Sequence, residues 1–168
     1  MSAPIGLRHE DKSEWERRVP ITPRDAAELQ QDHGLQVIAQ TSPTRAFTDS
    51  EFSEAGIAVQ EDLSACSVIL GIKEIPKEQL APDKAYVFFA HVIKGQPYNM
   101  PMLQRILDLG CTLVDYERVV DEKNRRLIFF GWHAGVAGMI DTLWALGQRL
   151  AWEGIDNPFT DLRQTHTY

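Results

Sequence analysis

Short apolar runs alternate along the chain with segments whose apolar positions recur at helical spacing. Residues 5–8 form the first strand-like run. Thr22-Pro23 then marks a helix start, a capping threonine with proline at the first helical position. That helix is expected to reach about Asp32 and to stop at His33-Gly34. Residues 35–40 (LQVIAQ) return to strand, Thr48 or Asp49 caps a short helix through Ala55, and residues 57–60 read as a short strand. The continuous apolar runs 67–72 and 84–90 have the pattern of strands covered on both faces. Residues 101–109 are helical, ended by Gly110, and 111–115 are strand. Residues 117–120 and 126–130 flank the polar stretch 121–125, the pattern of a β-hairpin. One long helix is expected from about His133 to Trp152, and the tail from Pro158 loses periodicity and reads as a linker or junction. Strands alternating with helices imply an α/β domain with a mainly parallel sheet.

At 168 residues the chain matches one domain and needs no disulfide or metal to fold. Its 24 acidic against 17 basic residues give a net charge of −7, a surface that repels phosphate backbones, so nucleic acid is not an expected partner. Cys66 and Cys111 sit in apolar runs and read as free buried thiols, and with no CxxC pair no metal site is expected. The amino terminus carries no basic-then-apolar targeting signal. The longest apolar stretch, 129–146, contains His133 and Asp141 and is too short and polar for a membrane span, which makes a cytoplasmic protein the expectation.

Five segments are candidates for chemistry. In ERRVPITP, Arg18 precedes a turn and a capped helix, and its planar fork suits a carboxylate; a solvated charge cluster is the competing reading. Lys73 and Glu74 follow an apolar strand, at the edge where parallel sheets bind ligands. Desolvation lets a lysine there act as acid or base, whereas an acidic neighbour holds it charged. His91 closes the next apolar strand and Lys94 follows three residues later. Histidine titrates near neutrality, and if the two strands are neighbours Lys73 and His91 converge on one rim; a structural hydrogen-bonding histidine is the competing reading. Glu117, past the strand 111–115, either joins that rim or is a plain hairpin charge. Finally, FFGWHAGVAGMID opens the last helix with glycines at 131, 135 and 138, which is not a GxGxxG fingerprint. Gly135 is a weak candidate for contact with a dinucleotide there, and tight helix packing is the alternative.

Taken in order, ERRVPITP, the IKE after its strand, FFAHVIKGQPYNMPML, LVDYERVVD and FFGWHAGVAGMID resemble the amino-terminal domain of lysine-ketoglutarate reductase. The lysine-forming saccharopine dehydrogenases are similar. Alanine dehydrogenase and the transhydrogenase alpha subunit are more distantly so, chiefly in the RV..TP and KE segments. The resemblance covers residues 5–168 and implies a Rossmann-like (flavodoxin-like) sheet with helices on both faces, plus the β-hairpin and the long carboxyl-terminal helix. It implies residues 1–168 as a substrate-binding domain, with NAD or NADP bound mainly by a second domain that this chain lacks. In such enzymes the ε-amine of lysine joins the keto carbon of 2-oxoglutarate, and a nicotinamide hydride reduces the imine to saccharopine.

By position, Lys73 and His91 match the acid–base pair and Arg18 a substrate-carboxylate binder, while Lys94, Glu74 and Glu117 match residues that orient substrate or adjust proton affinity. Implied partners are an amino acid, a 2-oxo acid, and a dinucleotide-binding domain or partner chain; self-association through the last helix is a further possibility. Compartment would be mitochondrial in a eukaryote. The alternatives are a stand-alone amino-acid or oxo-acid binding module and an alanine-dehydrogenase-like domain acting on pyruvate. HVIKGQPYNM and FFGWHAGVAG favour the lysine branch.

Overall fold

The structure is a computed structural model and describes residues 3–165. These form two compact units, a larger one through Leu127 and a smaller one from Ile128.

The larger unit holds six short strands: β1 (Ile5–Leu7), β2 (Val37–Gln40), β3 (Ala58–Gln60), β4 (Val68–Leu70), β5 (Ala85–Phe88) and β6 (Thr112–Asp115). They form one sheet in the order β3-β2-β1-β4-β5-β6, and every neighbouring pair is parallel. Of the two common doubly wound orders, this is the six-stranded Rossmann one. Strand order reverses between β1 and β4, so the crevice beyond their carboxyl ends is the place where such sheets hold ligands.

Helices α1 (Pro23–His33) and α2 (Asp49–Glu54) both begin with capping boxes. The Thr22 hydroxyl accepts from the Asp25 amide and Asp25 reaches back, and Thr48 and Glu51 repeat the arrangement. Gly34 ends α1 at φ 65°, which a residue with a Cβ seldom adopts. Helix α3 (Met100–Asp108) buries Met102 and Ile106, one turn apart on one face. The core lies in two layers on opposite faces of the sheet. Val37, Ala39, Leu7, Phe52 and Ile57 pack in one, and Ile38, Ile69, Tyr86, Phe88 and Ile106 in the other. The switch of sides between Val37 and Ile38 is the two-residue period of a strand.

Four expectations need adjustment. The apolar runs of β4 and β5 are not covered equally on both faces: Ile69, Tyr86 and Phe88 are buried, whereas Val68, Leu70 and Val87 are half-buried. On one face α3 and the 75–80 loop cover them; α1 and α2 are packed around β1 and β2. The expected hairpin shrinks to a single antiparallel bridge between Val120 and Arg126. Asp115 accepts the Glu117 amide and turns the chain into a 3-10 helix, Tyr116–Arg118. Asp121 then gathers the amides of Lys123 and Arg125 and the Arg125 Nε, closing a loop in place of two strands.

In the smaller unit α4 (Gly131–Trp152) starts two residues earlier than expected, and the tail forms a short helix, α5 (Leu162–Thr165). The last three residues of the expected junction, 166–168, lie outside the described residues. Gly147 allows α4 to meet the segment before α5: a Cβ there would stand 2.6 Å from the Phe159 carbonyl carbon. Trp132, Met139 and Trp152 of α4 are exposed. Among the described residues, no helix is long and apolar enough to cross a membrane.

Candidate functional site

The carboxyl ends of β1, β4, β5 and β6 share one edge of the sheet. Side chains bonded to backbone tie the chain segments leaving that edge to one another. From β1 the chain passes into 8–22. Arg8, buried at the strand end, bonds Gln79 (2.7 Å) and pairs with Asp11 (2.6 Å). Glu10 reaches across to β4, where its two carboxylate oxygens accept the amides of Ile72 (2.7 Å) and Lys73 (3.0 Å).

Glu16, also buried, grips Arg18 with both oxygens: Arg18 Nε donates at 2.7 Å and Nη2 at 2.5 Å. The Arg18 bonds hold the Glu16 carboxyl below the ordinary glutamate range against the opposing effect of burial, and the Lys73 charge lowers it further. Lys73 is therefore grouped electrostatically with the Glu16–Arg18 pair.

β5 leads to His91. Its backbone is left-handed, φ 52°, a strained conformation for a residue with a Cβ. Buried Asn99 holds it there, donating from Nδ2 to the carbonyls of Ala90 (2.9 Å) and His91 (3.4 Å). Buried Asp115 links the next exit: its Oδ1 accepts the amides of Ala90 (3.3 Å) and Glu117 (2.9 Å). Glu117 then faces the imidazole, with Oε2 3.3 Å from His91 Nδ1, while its Oε1 stands 3.2 Å from Arg126. A carboxylate at Nδ1 favours the proton on that nitrogen, which leaves Nε2 of a neutral imidazole as acceptor. The ring also stacks on Phe89, with centroids 6.2 Å apart.

His91, Lys94 and Glu117 line one hollow of about 220 Å³ together with Gln96 and Tyr98. Glu74 lines an adjoining hollow of about 450 Å³, pairs with Lys12 at 3.7 Å and accepts from Asn99 at 3.4 Å. Tyr98 borders both. Lys73 belongs to the same edge by strand pairing, since Leu70 pairs with Val87 and the Phe89 amide donates to the Ile72 carbonyl. It lines neither hollow. A third hollow of about 390 Å³, lined by Arg8, Gln40, Asp62 and Lys84, includes none of the residues the sequence singled out for chemistry.

Gly135 is the fifth residue of α4, past the amides at the helix start that lack an intrahelical carbonyl, so the anion-binding argument does not reach it. It lines a shallow depression with Trp132, Val136 and Met139. Both cysteines are free, Cys66 buried and Cys111 half-buried. Sequence reasoning missed Glu10, Asn99 and Arg126. Arg126 is an ordinary loop charge until Glu117 is placed opposite it. Asn99 follows from nothing local, but Glu10 lies three residues past the end of β1, where the switch-point rule directs attention once strand order is known.

Residues fit for a dinucleotide are not found at the first βα turn. Segment 8–22 contains no glycine, so nothing there permits the close backbone approach that a pyrophosphate requires. Where a ribose-binding acid would end β2 stands Gln40, whose Oε1 accepts the His9 amide.

Comparison with known proteins agrees with this architecture. The family model described as the alanine dehydrogenase/PNT N-terminal domain matches residues 6–137. The mitochondrial alpha-aminoadipic semialdehyde synthase of Bos taurus is 43% identical over 166 residues, which cover 99% of this chain and 18% of that protein. The alpha-aminoadipic semialdehyde synthase of Arabidopsis thaliana is 39% identical over 98% of this chain and 16% of its own length. The NAD(+), L-lysine-forming saccharopine dehydrogenase of Yarrowia lipolytica is 37% identical over 145 residues, 82% of this chain and 39% of that protein. The chain thus spans about a sixth to two fifths of these curated relatives.

Proposed function

Because the chain belongs to the family of the alanine dehydrogenase/PNT N-terminal domain, we propose that it is the substrate-binding portion of a saccharopine-type oxidoreductase. The observation that carries this reading is the joining of the β5 and β6 exits. It sets His91, Lys94 and Glu117 around one hollow and leaves Lys73 on the neighbouring strand end.

Condensation of the lysine ε-amine with 2-oxoglutarate needs a proton taken from the attacking ammonium and one given to the departing hydroxyl. Side chains placed as acid and base do both. In this proposal His91 accepts through Nε2 while Glu117 steadies the imidazolium that results, and Lys73 serves the oxygen that leaves as water. Arg18 and Lys94 take substrate carboxylates, with Arg18 presented by Glu16. Glu74 orients Lys12 and Asn99 at the rim. In this proposal the hydride that reduces the imine comes from NAD(P)H held by another domain or partner chain, since the first βα turn here has no glycine to let a pyrophosphate approach.

Calorimetry with saccharopine and absorbance with NADPH, lysine and 2-oxoglutarate test the reading together. The chain is expected to bind saccharopine, with affinity reduced at least tenfold by Arg18→Ala, and to oxidise no NADPH by itself. Turnover by the isolated chain, or binding indifferent to Arg18→Ala and His91→Gln alike, contradicts it.

A further inference from the structure

Glu10 stands at the point where strand order reverses, and its carboxylate occupies the gap between the β1 and β4 exits. Few interactions suit the two adjacent amides that follow β4 better than one carboxylate receiving both, since each bond is charge-assisted. Three further observations converge on it. Gly71 carries no side chain, and a Cβ there would stand 3.3 Å from Glu10 Oε1, so the carboxylate lies directly against the bare backbone. The next carbonyl, of Ile72, accepts the Phe89 amide, which passes the constraint on to the strand leading to His91. The charges felt at Glu10 include those of the candidate site: Glu16 and Arg18 interact with it electrostatically, as does Arg8. Burial raises the Glu10 carboxyl above the ordinary glutamate range, against the opposing influence of the two amides and Arg8.

We propose that Glu10 is the positioning residue of Lys73: its carboxylate clamps the Ile72 and Lys73 amides and thereby sets where the Lys73 amine is presented. The proposal deepens the functional reading above and rests on it for the role of Lys73. The clamp itself is a claim about backbone and can be tested without turnover. An ionised Glu10 accepts both amides. Protonated, or replaced by glutamine, it has only one full acceptor to offer, so one amide loses its partner.

Amide hydrogen exchange and nitrogen–proton NMR on the chain decide this. In Glu10→Gln the Ile72 or Lys73 amide is expected to exchange at least tenfold faster, while the β4 amides Ile69 and Leu70 keep their protection. The rate at which an amine-directed reagent labels Lys73 should change at least threefold. Gly71→Ala, which crowds the carboxylate from outside, is expected to move the same two amides. Should Glu10→Gln fail to fold, the wild-type protein still answers: the Ile72 and Lys73 amide shifts must follow one common midpoint above the ordinary glutamate value as pH is varied. Unchanged exchange and labelling in a folded Glu10→Gln, or no shared titration of the two amides, overturns the clamp. If the amides move but Glu10→Gln leaves kcat intact in a chain reconstituted with its dinucleotide-binding partner, the clamp stands and the catalytic reading of Lys73 fails instead.

Discussion

Glu16 and Arg18 lie two residues apart, and the bidentate grip between them brings its own pH dependence. Arg18 lowers the Glu16 carboxyl below its ordinary value of 4.5. On acidification the unfolded chain therefore takes up that proton before the folded one does. The contribution is complete above the unfolded value and disappears as pH falls through the folded one. Glu10 has the opposite sign: its folded value is raised, so its ionisation weakens the fold as pH rises from the ordinary glutamate range to that value. Unfolding midpoints measured between pH 3 and 7 should show a shallower acid slope in Glu16→Gln than in the wild type; equal slopes contradict the pairing. Where the candidate residues stand in the fold was partly legible in the sequence. Apolar runs followed by Lys73, His91 and Glu117 put those three at strand exits, which is where the structure has them. What stayed hidden were residues whose role is to hold another residue's backbone. Asn99 and Asp115 act on Ala90, His91 and Glu117 through bonds spanning up to 25 positions, and no local pattern encodes such a bond.

At the scale of elements, capping and termination were the most legible features. Thr22-Pro23 and Thr48 announced α1 and α2 because their hydroxyls act within three residues. Gly34, Gly56 and Gly110, all at positive φ, marked where helices stop. The hairpin failed for a reason of the same kind. Asp115 and Asp121 each capture amides that strand pairing would have needed, a competition that apolar content does not reveal. Replacing the Thr22 cap by alanine should lower stability by about 1 kcal/mol, the usual cost of a lost N-cap, measured by urea unfolding. In the smaller unit Gly147 sets how closely α4 meets the segment near Phe159. Gly147→Ala is expected to release the Asn157 bond to the Gly147 carbonyl, now 3.2 Å, and to increase exchange of α5 amides. Unchanged exchange there would show that the segment yields without cost.

For the whole molecule, the α/β class followed from alternating periods, but strand order did not. Sequence gives elements and spacing, whereas the crossing from β3 to β4 on the far side of β1 depends on how two apolar layers share six strands. That order brings the β1 and β4 exits together and makes room for Glu10 at the reversal. In the proposed reading, ligands are held beyond the carboxyl ends of β1, β4, β5 and β6. Titrating the isotopically labelled chain with saccharopine and mapping the amide shifts tests it directly. The account predicts movement at Arg18, Lys73, His91, Lys94 and Glu117, with Ala85 and Thr112 at the strand starts unmoved. Shifts gathered instead around Gln40, Asp62 and Lys84, with Lys73 and His91 silent, would contradict it.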